Sequence, residues 1–343
     1  PTNTRKGNRA TPSRQSKVAF SFIRIIVGTK ILYALLAITI FMSCSTKKSN
    51  DKPIHAGKDT VNLKIAVLPT TDCLPFYVAE DMNIYKRLGL NVEFINYKSI
   101  LKCNDALEKG LIDGTFTTLP AAMYLKSTKG FDLKLVMRTE GDVDVIANRT
   151  KRIKKLSNMR ERLVAITRHS TSDYLADEIC SITKMPTFEI LRPQINDIII
   201  RRQMLASNQV DAVIIPRPHS EYLLQTGNVK VFSTQNSGIK FGCLAIADTV
   251  IKKKSKQIEL LIKGYEQAAE QINRNRKCAD TTLIRQYVIP AAMLDSLSIP
   301  KYPKAQSIKK SDYDKSLQWC ISRKYVKSPI PEKDLITSKY ITK

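Results

Sequence analysis

The sequence lacks the short motifs by which many enzymes hold phosphates or activate a nucleophile. No glycine-rich phosphate loop, GxGxxG turn or nucleophile elbow occurs in its 343 residues. The seven cysteines and three histidines show neither a CxxC pair nor a Cys/His spacing typical of zinc sites. The sequence therefore predicts no metal, no cofactor and none of the common nucleotide-dependent or hydrolytic activities.

Acidic side chains are also few, with 31 against 56 lysines and arginines and a formal charge of +25. The first 44 residues hold seven basic and no acidic side chains, which leaves +18 on the rest. Such an excess fits either nucleic-acid binding or a solvated basic face. No nucleic-acid motif accompanies it, so we predict no nucleic-acid partner and favour an anionic membrane surface or an anionic ligand.

The N-terminal segment has the composition of an export signal. Residues 1–30 are basic and polar, and an uncharged apolar run, Ile31–Met42, precedes Ser43 and Cys44. At ~1.5 Å per residue this run covers roughly 18 Å, less than the ~30 Å hydrocarbon core of a bilayer. A basic start, a short apolar run and small residues at the cut are typical of a signal peptide.

The residues before Cys44 also resemble the bacterial lipobox, in which the cysteine is lipidated and becomes the first residue. We expect residues 1–44 to be a signal peptide, 45–60 a polar tether too poor in apolar residues to fold, and the mature protein to be periplasmic and lipid-anchored to a bacterial membrane. The alternative is a transmembrane anchor over Val18–Met42, with Arg24 and Lys30 in or near the bilayer at ~2.5–3.5 kcal/mol for a central charge. Both interpretations place the rest of the chain outside the cytoplasm.

After the tether, strand-like and helix-like segments alternate. Leu63–Leu68, Val92–Tyr97 and Gly114–Thr118 read as strands, with helical spacing between them. Helical crossovers of this length favour parallel strands, because a parallel pair needs a connection of a dozen or more residues. The pattern predicts an α/β fold, in which ligands bind outside the carboxyl ends of the strands.

The same alternation continues to the last third of the chain. Further strands are predicted at Leu133–Arg138, Val143–Asn148, Leu163–Thr167, Glu189–Arg192, Ala212–Ile215, Val229–Ser233 and Gly242–Ala247. The charge rises at Arg149–Lys155, which suggests a boundary between two units. The longest helix is expected near Ser255–Asn273, and Thr281–Ile341 is expected to be mainly helical.

Several of these segments resemble the periplasmic solute-binding proteins of the sulfonate, taurine, nitrate and thiamine-precursor type. In the first unit the resemblance lies in Ile65–Thr70, Tyr77–Val92 and Leu107–Gly114. Asn83 stands where that family has a helix-ending glycine, and asparagine also tolerates the left-handed conformation needed there. Leu163–Tyr174, Val210–His219 and the tail Trp319–Leu335 extend the resemblance over almost all of Leu63–Ile341.

The resemblance implies a two-lobed periplasmic binding protein of type II. Each lobe would be a mainly parallel sheet flanked by helices, with residues 61–147 plus 241–343 in lobe 1 and residues 148–240 in lobe 2. Two crossings, near Ala147 and near Phe241, would form a two-strand hinge. Ligand would then be enclosed by hinge bending between rigid lobes.

The candidate ligand residues follow predicted strands or precede predicted helices. The serines and threonine at 170–172 precede a helix whose N-terminus favours a negative group, and the arginines suit a bidentate clamp on a carboxylate or sulfonate. The alternatives are turn, cap or core roles and solvated rim charges. The set is Thr70, Thr71, Asp72, Tyr97, Thr117, Thr118, Arg138, Arg168, Ser170, Thr171, Ser172 and Arg217.

Cys73 and Cys103 each follow a predicted strand, and the two strands are expected to be neighbours. They are candidates for a disulfide at the cleft rim, a permitted chemistry outside the cytoplasm. The alternative is a pair of free, partly buried thiols.

The resulting expectation is a monomeric lipoprotein that captures a small polar ligand, with anions among the candidates, for an ABC importer. Its partners would be the permease and ATPase, with no catalytic residues. One alternative is a ligand-sensing or structural lipoprotein on the same fold. Another is an enzyme resembling the lyases and fungal pyrimidine synthases that share the fold, although the cysteine-dense motif of the fungal enzymes is absent.

Overall fold

The structure is a computed structural model and describes residues 62–235 and 237–341. The expected signal peptide, Cys44 and the tether lie outside these residues. Among the helices that the structure describes, none is long and apolar enough to cross a membrane.

The strands are short and mostly follow the apolar runs of the sequence. They are β1 Leu63–Val67, β2 Val92–Asn96, β3 Gly114–Thr118, β4 Leu133–Arg138, β5 Val143–Ala147, β6 Val164–Ala165, β7 Ala212–Pro216, β8 Val229–Ser233 and β9 Gly242–Ala247. Glu189–Arg192 is not a strand as predicted, since Leu191 forms only an isolated bridge to Leu163.

The helices occupy the segments between these strands and part of the chain after β9. They are α1 Leu74–Asp81, α2 Ile84–Arg87, α3 Ile100–Glu108, α4 Leu119–Thr128, α5 Thr171–Thr183, α6 Ile198–Ala206, α7 His219–Gln225, α8 Asp248–Lys253, α9 Ser255–Arg274, α10 Asp280–Tyr287, α11 Lys310–Ser322 and α12 Glu332–Leu335. Thr281–Ile341 was expected to be mainly helical, and this was wrong, because after Tyr287 the only α-helices that the structure describes are Lys310–Ser322 and Glu332–Leu335. Asn83, between α1 and α2, has φ 55°, which confirms its predicted left-handed conformation.

The strands form two sheets, in the orders β2-β1-β3-β9-β4 and β6-β7-β5-β8. In the first sheet, β9 runs antiparallel to its neighbours β3 and β4. In the second, β5 runs antiparallel to its neighbours β7 and β8. All other strands of each sheet share one direction, so the prediction of mainly parallel sheets is confirmed. We call the first sheet, its helices and the chain from Gly242 onward the first lobe, and the second sheet with its helices the second lobe.

The two reversed strands are the ones that follow the crossings between lobes. The first crossing lies between Arg138 and Val143, and the second lies between Ser233 and Gly242. The sequence analysis placed β5 in the first lobe, with the first crossing near Ala147, and this was wrong. The apolar strand pairs along its whole length with β7 in the second sheet, from Val143–Pro216 to Ala147–Ala212, and so belongs with that lobe.

At the centre of the first sheet, two strands lie so close together that only glycine fits at one position. A Cβ atom on Gly114 in β3 would lie 2.3 Å from Cδ1 of Ile246 and 2.8 Å from the carbonyl oxygen of Ala245, both on β9. Glycine is therefore required by the close approach of the two strands. On the outer face, the rings of Phe76 and Phe116 pack edge to face with centroids 4.7 Å apart.

Cys73 and Cys103 are both buried, free thiols, so the predicted disulfide is not formed. The Cys73 sulfur accepts a hydrogen bond from the backbone N–H of Leu68 at 3.5 Å. Burial raises the pKa of Cys103 to about 12, which keeps that thiol protonated. The two side chains therefore act as small apolar core residues.

Candidate functional site

A cleft between the lobes collects the carboxyl ends of β1 and β3 and the N-terminal ends of α5 and α6. The space between its atoms is about 730 Å³, counted out to the open mouth and including solvent. Seven of the twelve predicted residues line it: Thr70, Asp72, Thr117, Thr118, Ser170, Thr171 and Ser172. Its apolar lining includes Leu68, Ile100, Ile198, Ile214 and Phe241.

The first-lobe wall presents hydroxyl groups held from behind by the C-terminal part of the chain. The hydroxyl of Tyr287 donates to the carbonyl oxygen of Thr70 at 2.8 Å, and that of Tyr302 donates to the carbonyl oxygen of Thr71 at 2.6 Å. The loop after β1 is thereby fixed. Thr118 is 8% exposed, and its buried Oγ1 has no hydrogen-bond partner among the described residues. A buried hydroxyl without a partner normally costs ~1–3 kcal/mol, so Thr118 can donate to a group in the cleft.

Asp72 lies on the same wall, facing the two crossings. Its Oδ2 accepts a hydrogen bond from Oγ1 of Thr139 at 3.1 Å. Burial raises the pKa of the Asp72 carboxyl, and hydrogen bonds from Thr70 and Thr139 partly oppose that shift. These hydrogen bonds hold the carboxylate in place, and no lysine, arginine or histidine of the described part of the chain forms an ion pair with it.

The second-lobe wall begins at the N-terminus of α5. Ser170 caps this helix, with its Oγ accepting the backbone N–H of Ser172 at 3.2 Å. Oγ of Ser172 accepts the N–H of Thr167 at 2.9 Å. Ser170 therefore carries out the capping role that the sequence analysis left open as the alternative, while Ser172 holds the preceding loop. The positive end of the helix still faces the cleft, where it favours a negative group by ~0.3–1 kcal/mol, and by up to ~2 when partly buried.

Arg201, on α6, supplies the positive charge of this wall. It is 3% exposed and lines the cleft. Its Nε donates to the carbonyl oxygen of Ile195 at 2.8 Å and its Nη1 to that of Ile214 at 2.7 Å, while Nη2 donates to Oγ1 of Thr167. No carboxylate of the described residues forms an ion pair with it.

Burial lowers the pKa of Arg201 to about 10, so the guanidinium still carries its charge at neutral pH. Asp197 opposes that shift, but its Oδ1 is occupied in capping α6 through the N–H groups of Ile199 and Ile200. A buried cation without an anionic partner is unfavourable. An anion in the cleft would supply the missing partner.

A sequence model of the NMT1-like family matches residues 56–237, just over half of the chain. The chain belongs to the NMT1-like family. No curated protein shows significant sequence similarity to it.

Solved structures extend the comparison of this NMT1-like chain to its whole described length. The ligand-binding component of an ABC-type import system from Staphylococcus aureus, solved with zinc bound, is 16% identical, with a TM-score of 0.70 over 81% of this chain and 97% of that one. The alkanesulfonate-binding protein SsuA from Xanthomonas axonopodis pv. citri, bound to MOPS, is 14% identical, with a TM-score of 0.70 over 82% of this chain and 99% of that one. These likenesses establish the two-lobed fold of periplasmic binding proteins.

One structural relative is an enzyme. The desulfurization enzyme DSZB is 10% identical, with a TM-score of 0.56 over 81% of this chain and 97% of that one. The fold alone therefore does not separate binding proteins from catalysts, and the side chains of the cleft must decide.

Five predicted residues do not line the cleft of this NMT1-like protein. Arg138 pairs with Glu140, Nη2 to Oε1 at 2.7 Å, and Arg217 donates through Nε to Oδ2 of Asp144 at 3.1 Å. Arg168 is exposed. A carboxylate pairs with each of these two buried arginines: Glu140, two residues after Arg138, and Asp144, far from Arg217 in the sequence.

The other two are Tyr97, which packs against the core, and Thr71. The hydroxyl of Thr71 is buried without a partner but does not line the cleft.

Polar residues that the sequence analysis missed also line the cleft: Thr167, Asn196, Arg201 and Thr234. Arg201 had a detectable signal. It follows three consecutive isoleucines in Ile198–Ala206, and a charge on the apolar side of a helix is a candidate buried group.

Proposed function

We propose that this protein captures a small oxyanion outside the cytoplasm and delivers it to an ABC importer. The observation that carries the proposal is the guanidinium of Arg201, which is buried in the inter-lobe cleft without a carboxylate partner among the described residues. Several of its N–H groups already donate to protein oxygens. These bonds fix the orientation of the desolvated guanidinium, and an anion would bind to its remaining N–H groups. Such charge-assisted bonds are roughly twice as strong as neutral ones.

Two further features of the cleft support an anionic ligand. The helix α5 directs its N-terminus at the cleft, and the buried hydroxyl of Thr118 faces it from the other lobe with no partner in the described part of the chain. An oxyanion accepts hydrogen bonds from both walls at once. Its binding would therefore favour the closed arrangement of the lobes, because the ligand contacts both walls only when the lobes are closed.

We propose further that the polar tether and a lipid on Cys44 attach the protein to the membrane. The export-signal composition of residues 1–44 supports this. A monomeric binding protein of this kind hands its ligand to a permease driven by an ATPase. The lobes would move about the two crossings, one before β5 and one before β9. Mass spectrometry of the mature protein should find a lipidated Cys44 as first residue, and Cys44→Ala should shift the protein from the membrane to the soluble fraction.

Binding rather than catalysis is the role that the cleft chemistry supports. The nearby thiol of Cys73 has a pKa raised well above its usual range by burial, followed in size by the effect of Asp72, so it is a poor nucleophile. Burial lowers the pKa of His219 to about 3, and both of its ring nitrogens are engaged within the protein. A ligand recovered unchanged and in stoichiometric amount after long incubation would agree with this, whereas turnover would favour a lyase-like enzyme.

A thermal-shift screen of sulfonates, carboxylates, phosphonates and inorganic oxyanions tests the proposal. At ~100 times its dissociation constant, a ligand should stabilise the protein by ~2.7 kcal/mol. Arg201→Met should abolish the shift, whereas Arg168→Met, which removes an exposed arginine outside the cleft, should preserve it.

Two results would contradict the proposal. One is the absence of stabilisation by any anion class. The other is a ligand that binds equally well to the Arg201→Met variant.

A further inference from the structure

The lobes also meet outside the cleft, at an aromatic cluster that joins α5 to the first lobe. The ring of His169, directly before the cap residue of α5, stacks on the ring of Tyr124 in α4, with centroids 3.9 Å apart and planes 18° apart. The ring of Tyr325, after α11, meets the same imidazole edge to face at 4.3 Å. His169 belongs to the second lobe and both tyrosines to the first. We call these three residues the aromatic clasp.

Hydrogen bonds beside the clasp also join the two lobes. The hydroxyl of Tyr325 donates to Oδ2 of Asp173 at 3.1 Å, and the backbone N–H of His169 donates to the same oxygen at 3.1 Å. Further along α5, Oδ2 of Asp177 accepts the indole Nε1–H of Trp319, in α11, at 2.8 Å. A buried polar group is unfavourable without hydrogen-bond partners, so separating the lobes here would remove donors from both carboxylates.

The charges at this contact are balanced. Nε of Arg323, in the first lobe, lies 3.4 Å from Oδ2 of Asp177. Nη1 of Arg192, in the second lobe, lies 2.7 Å from Oδ1 of Asp177 and 3.6 Å from Oδ1 of Asp173. Two carboxylates therefore face two guanidinium groups, and no excess charge among these four side chains opposes the contact.

His169 is held in an unusual conformation by these contacts. Its φ of 55° lies in the left-handed region, which is uncommon for a residue other than glycine. Burial lowers the pKa of its imidazole, and Asp173 opposes that shift. The ring is therefore neutral at pH 7 and packs as an aromatic side chain. The ring contacts and the bond to Asp173 offset the cost of the backbone conformation.

The clasp lies outside the cleft but is joined directly to its wall. The next residue, Ser170, lines the cleft, whereas none of the three clasp residues does. Tyr174, also on α5, packs edge to face against Phe241, which lines the cleft in the second crossing. The contacts of the clasp therefore do not depend on a ligand, yet they fix the end of the helix that faces it.

We propose that the aromatic clasp keeps the lobes closed without a ligand, and that His169 is the positioning residue that holds the N-terminus of α5 against the first lobe. This inference goes beyond the proposed function and holds for a ligand of any class. A ligand favours the closed state only through contacts that it makes there, whereas the clasp favours that state at all times. Ligand binding is thereby tightened, because apparent affinity scales with the fraction of the protein in the binding-competent state.

Trp319 allows a direct test, because it is the single tryptophan of the chain. Its indole N–H bridges the lobes, so one ¹⁵N-labelled indole signal reports whether the contact is formed. The experiment uses the whole protein, dialysed free of small molecules. We expect deuterium exchange of this N–H to be slower than that of free tryptophan by roughly a hundredfold or more, because exchange requires the contact to open.

Substitutions in the clasp should remove and restore this protection. His169→Asn keeps a residue that tolerates the left-handed backbone but removes the ring, and it should speed indole exchange by about tenfold or more. Tyr124→Ala should have a similar effect, whereas Tyr124→Phe keeps the ring and should exchange as the native protein does. Phe188→Ala serves as the control, because it removes an aromatic ring of the same lobe that is 78% exposed. Amide exchange in β1 and β3 should be equal in all these proteins, which separates release of the clasp from loss of the fold.

Two results would overturn the inference. If the indole N–H of the native protein exchanges as fast as free tryptophan, the lobes stand apart without a ligand. If His169→Asn and Tyr124→Ala both keep full protection, the rings are not what holds the lobes together. Neither result affects the oxyanion proposal, which is tested by ligand binding.

Discussion

The two walls of the cleft use polar groups in opposite ways. On the first-lobe wall, Thr118 ends a strand with a hydroxyl that has no partner among the described residues, and Asp72 accepts a hydrogen bond from Thr139. On the second-lobe wall, the hydroxyls of Ser170 and Ser172 accept hydrogen bonds from the backbone of their own helix and loop. Arg201 donates to backbone carbonyl oxygens and to the hydroxyl of Thr167. One wall is therefore poised to respond to a ligand, and the other is pre-organised to present a charge.

The largest expected effect is a loss of stability on removing Arg217, which is paired with a carboxylate, unlike Arg201. Arg217 and Asp144 are 3% and 0% exposed, and they pair inside the lobe away from the cleft. Removing one partner of a buried pair leaves an uncompensated charge, so Arg217→Met should lower the free energy of unfolding by ~3–5 kcal/mol. Urea unfolding would measure this.

The double variant Arg217→Met with Asp144→Leu should recover much of the lost stability, because apolar replacements of buried pairs are often neutral. Arg168→Met, at an exposed site, should change stability by less than ~0.5 kcal/mol. A stable Arg217→Met protein that has lost ligand binding would instead restore the clamp role predicted from the sequence.

The next effect is the pH dependence of stability that comes from a hydrogen bond between the lobes. Nε2 of His219, in the second lobe, lies 2.8 Å from the carbonyl oxygen of Pro69 in the first, and Nδ1 lies 3.3 Å from Nη1 of Arg202. The carbonyl can only accept, so Nε2–H donates and Nδ1 accepts from Arg202. This requires a neutral ring, and burial lowers the pKa of His219 from 6.5 to about 3.

Because the unfolded chain binds that proton more readily, stability from His219 is complete above pH 6.5 and falls as the pH drops toward 3. The loss should approach ~1.4 kcal/mol per pH unit. Urea unfolding at about pH 7 to about pH 4 would measure this loss. The free energy of unfolding should depend less steeply on pH for His219→Gln than for the native protein. Equal slopes would contradict the neutral assignment.

A smaller effect compares one hydroxyl from each wall. Ser170→Ala removes the cap of α5 and should destabilise the protein by ~0.5–2 kcal/mol. Thr118→Val removes a hydroxyl that has no described partner, so stability should stay the same or rise. Its loss should weaken ligand binding by ~1 kcal/mol, about fivefold. Urea unfolding and calorimetry on the pair would check this, and a destabilised Thr118→Val protein would show that the hydroxyl has a structural partner.

The smallest expected effect concerns the thiols behind the first-lobe wall. A native disulfide between Cys73 and Cys103 would contribute ~2–5 kcal/mol, whereas both thiols are free and buried. A reducing agent should therefore leave the melting temperature unchanged. A drop on reduction, absent in Cys103→Ala, would show that the bond forms.

Sequence reasoning located the first-lobe wall better than the second. Thr70, Asp72, Thr117 and Thr118 line the cleft because the carboxyl ends of parallel strands meet at one edge, which follows from strand order alone. Arg201 comes from the middle of a helix, so its position depends on how α6 packs against β7. The ion pair of Arg217 with Asp144 depends likewise on a contact between distant parts of the chain, whereas Arg138 pairs with Glu140 two residues later.

The crossing was misplaced for a related reason. The charge rise at Arg149–Lys155 marks the end of β5 but not which sheet receives it. An apolar strand of five residues fits either sheet equally well. Only its pairing with β7 and β8 assigns it.

The place of β9 has a consequence for how this protein can be divided or recombined. The family match ends at residue 237, yet β9 inserts between β3 and β4 and completes the first sheet. A fragment ending with that match would expose two open strand edges, which invite aggregation, and would leave the loop at Thr70 without Tyr287 behind it. A segment moved between proteins as a working module must therefore extend beyond the part that sequence comparison delineates and include β9 and Tyr287.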